Sequence, residues 1–201
     1  MVEEQLRSRG IRGERVLAAF STVPRHLFVP EEYRVRAYED HPLPIGSEQT
    51  ISQPYMVALM IEELDVLPTS KILEVGTGSG YQTALLATLG KTVYSIERIG
   101  TLAEGARALL RDLQFQNVEI HVGDGSLGMP AVAPFDGILV SAAASQVPQA
   151  LVDQLAEGGR LVIPIGSVSG QMVTVVERRH GEVEQRETVG CVFVPLVGGT
   201  S

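Results

Sequence analysis

The chain has 201 residues, which is enough for one domain with a complete hydrophobic core. Its net charge of −8 opposes binding to a phosphate backbone, and an aromatic content of 5% without Trp argues against a base-stacking surface. The single cysteine excludes an internal disulfide, no apolar run reaches the ~18 residues of a membrane span, and the four histidines show no metal-ligand spacing. The N-terminal "MVEEQLRSRG" also lacks the apolar core of a signal peptide. We therefore expect a cytoplasmic monomer that binds no metal, nucleic acid or membrane.

Residues 1–69 are predicted to form a layer of short helices and loops. Two short helices, "EEQLRSRG" and "GERVLAAFSTV", are separated by breaks at Gly10 and Gly13. The passage that follows is rich in proline, which forbids long helices, while its many apolar residues favour an ordered structure over disorder. The prolines are Pro24, Pro30, Pro42 and Pro44.

A longer helix is predicted in "SQPYMVALMIEEL". Ser52 is a suitable N-cap and Pro54 suits the first turn. One face of this helix is expected to be apolar and to pack in the core, because its members recur at helical spacing. They are Met56, Leu59, Met60 and Leu64.

From residue 70 onward, strands and helices alternate. The predicted strands are "KILEV", "TVYSIE", "VEIHVGD", "FDGILVSAA" and "RLVIPIG", and the helices are "YQTALLATLG", "IGTLAEGARALLRDL" and "PQALVDQLAEGG". Apolar strands separated by helices indicate a parallel sheet covered on both faces. The tail reads as two strands meeting at a His180–Gly181 turn, which predicts an antiparallel edge. The fold class is thus α/β, doubly wound and Rossmann-like, in a single domain with its cofactor-binding core in residues 70–201.

A glycine-rich stretch, "LEVGTGSGYQ", follows the first of these strands. A P-loop requires Gly-Lys-Ser/Thr at its end, whereas here Tyr81 follows Gly80. The dinucleotide fingerprint also fails, because its final glycine falls on Tyr81 or on Thr83, depending on the frame. A nucleoside ligand without pyrophosphate remains, and Glu74 before the loop would suit a positively charged ligand.

Acidic residues end two further strands. Glu97 follows Gly80 by 17 residues, at the offset where an acid accepts both ribose hydroxyls, and Asp124 stands where an exocyclic amine could donate to it. Either residue alone is more simply explained as a cap of a helix or turn. The ordered set of Glu74, the glycine loop, Glu97 and Asp124 instead matches a site for S-adenosylmethionine.

The chain resembles the protein-L-isoaspartate O-methyltransferase family over nearly its whole length. The matching pieces are "VPRHLFVP", "LPIGSEQTISQPYMVALM", "ILEVGTGSGYQTALLA", "VYSIERI", "NVEIHVGDGSLG", "APFDGILVSAAASQVPQALVDQL", "GGRLVIPIG" and "VFVPL". The glycine loop alone is typical of many methyltransferases, whereas "TISQPYM" is far more specific. The resemblance implies methyl transfer from S-adenosylmethionine to the α-carboxylate of isoaspartyl residues in damaged proteins, with S-adenosylhomocysteine as the product and repair through a succinimide.

The resemblance also implies the site residues. Ser52 is the expected catalytic position, in a role that orients the carboxylate and not in nucleophilic attack, because an ionised carboxylate needs no general base. The cofactor-binding residues are expected to be Glu74, Gly76, Thr77, Gly78, Ser79, Gly80, Tyr81, Glu97, Arg98, Asp124 and Gly125. The substrate-binding residues are expected to be Thr50, Ile51, Ser52, Val194, Pro195 and Leu196.

Two positions depart from the family pattern. Gly46-Ser47-Glu48 stands where Gly-x-Gly is common, and Val197 stands where Thr is common. Both changes are expected to affect how the substrate is held and not the reaction itself. The alternatives are a methyltransferase for another acid or small molecule, and a cofactor-binding protein without catalysis; the failed fingerprint disfavours an NAD-dependent oxidoreductase.

Overall fold

The computed structural model describes residues 1–167 and 170–198. The α-helices in these residues are α1 (Glu14–Thr22), α2 (Pro54–Leu64), α3 (Tyr81–Leu89), α4 (Gly100–Asp112) and α5 (Gln149–Val152). The strands are β1 (Leu43–Gly46), β2 (Gln49–Ile51), β3 (Lys71–Val75), β4 (Thr92–Glu97), β5 (Val118–Val122), β6 (Phe135–Val140), β7 (Leu155–Ser167), β8 (Gly170–Arg179) and β9 (Glu182–Cys191).

Seven of these strands form one sheet in the order β5-β4-β3-β6-β7-β8-β9. The pairs from β5 to β7 are parallel, and β7–β8 and β8–β9 are antiparallel. The β8–β9 hairpin turns at His180 and Gly181, which both have positive φ. This sheet confirms the predicted doubly wound α/β class with its antiparallel C-terminal edge.

The chain changes direction between β3 and β6. After β3 it continues outward to β4 and β5, whereas after β6 it continues in the opposite direction to β7. The loops that leave β3 and β6 therefore diverge at the carboxyl edge, where doubly wound sheets form a ligand-binding crevice.

Alternate residues of the strands enter two different hydrophobic clusters. Ile72 packs with the N-terminal layer and with α2 and α3, and its neighbour Leu73 packs with α5 on the other side. This alternation is the pleat of a strand that is covered on both faces. Leu6 and Phe20 of the N-terminal layer are almost completely buried in the first cluster, so this layer shares its core with the sheet.

The N-terminal layer contains more regular structure than the sequence predicts. A π-helical turn (Val2–Leu6) precedes α1, and 3₁₀ helices at Arg25–Phe28 and Glu31–Arg36 occupy the proline-rich passage. The hairpin β1–β2 was not predicted. Its two turn residues, Ser47 and Glu48, have φ of 51° and 58° without being glycine.

Two predicted boundaries were wrong. The helix expected over "PQALVDQLAEGG" ends at Val152, because the backbone of the next residues pairs with β6 and Phe135 N–H donates to Gln154 O at 2.8 Å. Ser52 is also not the N-cap of α2, because Gln53 stands at that position. Pro54 does occupy the first turn, as predicted.

Candidate active site

A cavity of about 370 Å³ opens at the carboxyl edge of the sheet, next to the point where β3 and β6 diverge. Its floor is the glycine loop after β3, and its sides are the end of β4, the start of the loop after β6 and the β1–β2 hairpin. The volume falls in the range of small-molecule sites. The lining residues include Thr50, Ile51, Ser52, Gly76, Gly78, Gln82, Glu97, Gly125, Ser141 and Val194.

The glycine loop is held in place by Glu97. One oxygen of this carboxylate accepts from Gly78 N–H at 2.8 Å and the other from Ile99 N–H at 2.9 Å. Gly76 and Gly78 both have positive φ, at 96° and 54°. These left-handed conformations favour glycine, and the missing side chains leave the backbone open to a ligand.

The hairpin packs directly on this loop. A Cβ atom added at Gly78 would lie 3.2 Å from Ile45 Cδ1 of β1. A side chain at position 78 would therefore press on the Ile45 side chain of the hairpin. Through this contact, the loop also supports the hairpin that carries Thr50 and Ile51 and leads into Ser52.

A buried polar network lies beneath the loop. Glu74 is completely buried, and its carboxylate accepts from Ser95 Oγ at 2.6 Å, from Thr83 Oγ1 at 2.5 Å and from Gln82 Nε2 at 3.0 Å. Burial raises the pKa of the Glu74 carboxyl to about 7, although these three donors act in the opposite direction. Because the hydroxyl of Ser95 has one hydrogen and gives it to Glu74, Thr77 is the donor in the 2.6 Å contact between Thr77 and Ser95.

Gln82 connects this network to the cavity. Its Nε2 atom donates to Glu74 and, at 2.8 Å, to Oγ of Ser141. Ser141 follows β6 directly, and its backbone N–H donates to Val75 O at 2.9 Å. The network therefore extends from β4 through β3 and α3 to the lip of the cavity.

The hydroxyl of Ser52 is not used to cap α2. The carboxylate of Asp40 does this instead, because Asp40 Oδ1 accepts from Tyr55 N–H at 3.1 Å. The backbone of Ser52 is held by Arg25, whose Nη2 donates to Ser52 O at 2.8 Å while its Nε donates to Ala37 O at the same distance. The side chain of Ser52 is thereby left to line the cavity.

Arg25 is an unusual support because the residue is completely buried. Its guanidinium carbon lies 4.8 Å from the ring centroid of Tyr81, in a cation–π contact. Burial lowers the pKa of Arg25 to about 10, so the guanidinium stays charged at neutral pH. A planar group with several donors can hold two carbonyls at once, which a lysine cannot do in the same geometry.

A second depression, of about 1130 Å³, lies beside the first. It is lined by α2 through Met56, by the adjoining ends of β8 and β9, and by the segment that follows β9. The residues that line both depressions are Thr50, Ser52, Ser141 and Val194. The two depressions therefore meet at a junction that carries three hydroxyl groups.

The C-terminal segment forms one wall of this junction. Ala143 N–H donates to Val194 O at 2.8 Å, and Leu196 N–H donates to Ala143 O at 2.7 Å, which ties the segment to the loop after β6. The side-chain amide of Gln171 fixes its beginning, because it both accepts from and donates to the backbone of Phe193. Val197, one of the departures from the family pattern, also lines the cavity.

Most of the predicted site residues line the first cavity, and three do not. Those that line it are Thr50, Ile51, Ser52, Gly76, Thr77, Gly78, Ser79, Tyr81, Glu97, Arg98, Gly125, Val194, Pro195 and Leu196. Glu74 lies beneath the loop, and Gly80 faces α4, where an added Cβ would lie 3.2 Å from Ala106 Cβ. The carboxylate of Asp124 accepts from Ser126 N–H and Oγ, so that the neighbouring Gly125 and not Asp124 forms the wall.

Sequence reasoning missed several lining residues. Gln82 and Ser141 are polar residues of the lip, and Ile99 follows the Glu97 strand. Ser141 carries a usable signal, because it directly follows a buried strand whose end lies at the carboxyl edge. Gln82 carries none, since its amide reaches Ser141 across 59 positions of sequence.

The described residues contain no metal-binding group and no membrane-spanning helix. In residues 1–167 and 170–198, no three His, Cys, Asp or Glu side chains are placed to hold a metal ion. None of the helices in this part of the chain is long and apolar enough to cross a bilayer.

The class of protein follows from the glycine loop and the carboxylate at the tip of β4, in a sequence that lacks a P-loop and a dinucleotide fingerprint. They fit S-adenosylmethionine, because an acid beneath the loop and an acid at its side oppose phosphate and suit a nucleoside with a positively charged sulfur. With the doubly wound sheet and its antiparallel edge, these features make the chain an S-adenosylmethionine-dependent methyltransferase.

Comparison with known proteins defines the family. The family model of the protein-L-isoaspartate (D-aspartate) O-methyltransferases matches residues 1–201, and the chain belongs to this family. The protein-L-isoaspartate O-methyltransferase of Trichlorobacter lovleyi is 54% identical over 199 residues, with 98% of this chain and 92% of the relative covered. The enzyme of Methanoregula boonei is 52% identical, with 98% and 91% covered.

Solved structures agree with this assignment. A structure described as a protein-L-isoaspartate O-methyltransferase of Plasmodium falciparum, in complex with S-adenosyl-L-homocysteine, has a TM-score of 0.86 and 29% identity, with 98% of this chain and 96% of that chain covered. Another protein-L-isoaspartate O-methyltransferase has a TM-score of 0.88 at 29% identity, covering 99% of this chain and 66% of that chain.

Proposed function

We propose that this protein methylates the free α-carboxylate of isoaspartyl residues in damaged proteins, with S-adenosylmethionine as the methyl donor. The observation that carries the proposal is the junction of the two depressions at Ser52 and Ser141. A nucleoside-sized cavity on one side and a wide groove on the other suit a small methyl donor and a peptide, whose reacting groups meet at the shared residues. The methyl ester then closes to a succinimide away from the enzyme, which begins repair.

The residues of the first cavity fit the cofactor. Each oxygen of Glu97 accepts one backbone N–H and keeps acceptor capacity for the ribose hydroxyls. The wall at Gly125 has no room for a side chain, since an added Cβ would lie 2.3 Å from Val75 Cγ1. When bound, S-adenosylmethionine supplies the electrophilic methyl group on a sulfonium that becomes a neutral thioether.

The protein needs no general base for this reaction. The α-carboxylate, with a pKa of about 4, is already ionised at neutral pH. What remains is to hold the carboxylate in line with the methyl group and to exclude water, and positioning of this kind contributes a large part of enzymatic rate enhancement. We assign the positioning to Ser52, through its hydroxyl or its backbone N–H next to the start of α2.

The groove gives a physical reason for a peptide substrate. It is bordered by Met56 on α2, by Gly190 and Cys191 at the end of β9, and by the segment after β9, where Val192 is 93% exposed. A methyltransferase for a small molecule needs no open groove of about 1130 Å³ beside the cofactor cavity. The groove therefore favours the isoaspartyl peptide over the alternative of a small acidic substrate.

Paired peptides test the proposal. The protein is mixed with methyl-labelled S-adenosylmethionine and two peptides that differ only in an isoaspartyl or an aspartyl linkage. We expect label on the isoaspartyl peptide alone. Equal labelling of both peptides, or of neither, would refute the assignment, and Ser52→Ala is expected to lower turnover while S-adenosylhomocysteine still binds.

The remaining expectations stand as part of the same proposal. We propose a single methyltransferase domain, in which residues 1–69 form a substrate-binding layer over the core. The contact between Ile45 and Gly78 and the shared hydrophobic core support this arrangement. We further propose a cytoplasmic monomer without nucleic-acid or membrane partners, which the net charge of −8 supports. Light scattering after gel filtration tests the oligomeric state.

A further inference from the structure

Ser141 is fixed more firmly than a residue of an open loop. Its N–H donates to Val75 O, and a Cβ added at Gly76 would touch Ser141 Cβ at 3.4 Å, so the glycine loop packs against it. It lines both the cofactor cavity and the peptide groove, as Ser52 also does. Ser141 therefore stands at the place where the methyl donor and the acceptor must meet.

The direction of the hydrogen bonds decides what the Ser141 hydroxyl can do. Above pH 7, where Glu74 is ionised, its carboxylate can only accept, so it fixes the orientation of the Gln82 amide and turns Nε2 toward it. The second hydrogen of the same Nε2 then points at Ser141 Oγ, 2.8 Å away. Ser141 is thus an acceptor toward Gln82, and its own hydrogen is available for a further bond; no acceptor for it is found among residues 1–167 and 170–198.

We propose that the Ser141 hydroxyl donates a hydrogen bond to the α-carboxylate of the isoaspartyl residue and orients it for methylation. This inference rests on the proposed function and adds a second positioning group to Ser52 at the junction. A carboxylate has lone pairs for several donors, so Ser52 and Ser141 can hold it together. The amide of Gln82, fixed on Glu74, keeps the donor of Ser141 turned toward the junction.

The reaction leaves room for such a donor. One carboxylate oxygen forms the new bond to the methyl carbon as the carbon–sulfur bond breaks, and the electron pair of that bond stays on the sulfur. No proton is transferred in this step. The hydrogen bond from Ser141 is best placed on the other oxygen, because a donor on the attacking oxygen would compete with the methyl group for the same lone pairs.

A pair of matched peptides isolates this contact. An isoaspartyl residue that lacks its α-carboxylate is β-alanine, so a β-alanyl peptide has the same backbone without the group in question. Affinity for both peptides is measured with S-adenosylhomocysteine present, for the wild type and for Ser141→Ala. We expect Ser141→Ala to weaken binding of the isoaspartyl peptide by about tenfold or more, as for loss of a hydrogen bond to a charged group, and to leave the β-alanyl peptide nearly unaffected.

Two further variants separate the hydroxyl from the shape of the side chain. Ser141→Thr and Ser141→Val have nearly the same volume, and only Thr retains the donor. We expect Thr to recover most of the affinity for the isoaspartyl peptide and Val to remain as weak as Ala. Affinity for S-adenosylhomocysteine is measured for each variant and is expected to stay close to that of the wild type, which also shows that the variant folds.

Three results would overturn the inference. They are equal weakening of both peptides by Ser141→Ala, a loss of S-adenosylhomocysteine affinity in place of peptide affinity, and equal affinities of the Thr and Val variants for the isoaspartyl peptide. Failure of the proposed function looks different, because the wild type itself would then not discriminate between the isoaspartyl and β-alanyl peptides.

Discussion

Replacing Glu74 by Gln perturbs the buried network beneath the glycine loop without a change of size. The carboxylate is completely buried, and burial raises its pKa from 4.5 to about 7. In the unfolded chain the same group ionises in water near its ordinary pKa. Between these two pKa values the folded state binds more protons than the unfolded state, so ionisation of Glu74 lowers the stability of the fold as the pH rises.

The size of the effect follows from the shift. At 1.36 kcal/mol per pKa unit, a rise from 4.5 to about 7 corresponds to a loss of roughly 3 kcal/mol of folding stability. This loss is absent below pH 4.5 and complete above pH 7. Gln stays neutral throughout, and its single oxygen can still accept from the two hydroxyl donors. The stability of Glu74→Gln relative to the wild type is therefore expected to increase by about 2.5 kcal/mol between pH 5 and pH 8.

Urea unfolding at several pH values measures this difference. Glu104→Gln is a matched control, because Glu104 is an exposed acid on α4, and its replacement is expected to change stability little at any pH. A difference between Glu74→Gln and the wild type that does not vary with pH would refute the reasoning. A difference that varies in the opposite direction would show that the three donors outweigh the cost of burying the charge.

Three more substitutions test other parts of the site. Gly125→Ala is expected to cost about 1–3 kcal/mol of stability and to weaken S-adenosylhomocysteine binding, because its Cβ would overlap Val75 of β3. Unfolding and calorimetric titration measure the two effects. Gly123→Ala is the control, because its Cβ would meet nothing closer than 4.0 Å. Glu97→Gln offers one acceptor in place of two, so we expect cofactor affinity to fall by about tenfold or more in the same titration; unchanged affinity would exclude Glu97 from the ribose site. Arg25→Met removes the donors to the carbonyls of Ala37 and Ser52. It is expected to lower stability by about 2–4 kcal/mol in urea unfolding and to lower turnover. Arg25→Lys is expected to recover neither property.

The sheet could be predicted because its strands carry strong local signals. Most residues of "KILEV" and "TVYSIE" are apolar or β-branched, and their observed bounds are those of the quoted segments. The prediction failed where distant parts of the chain decide the local structure. Gln154 illustrates this, because its side chain bonds to Met129 N–H and to Leu127 O, and these contacts help end the helix that residues 148–159 would otherwise favour.

The candidate site shows the same division. The glycine loop and Glu97 could be found from spacing along the sequence, since the loop and the strand tip are adjacent in any doubly wound sheet. The capping of α2 by Asp40 could not, because a residue 15 positions away replaces the local candidate Ser52. The contact of Gln82 with Ser141 likewise joins side chains 59 positions apart, which no local pattern encodes.

A crystal structure with S-adenosylhomocysteine and an isoaspartyl peptide tests the central claim most directly. We expect the nucleoside in the cavity beside Glu97 and the peptide in the groove along Met56. The α-carboxylate should lie between Ser52 and Ser141, with one oxygen roughly 3–3.5 Å from the point on the sulfur axis where the methyl carbon would stand. A carboxylate bound away from this junction, or a peptide outside the groove, would contradict the account.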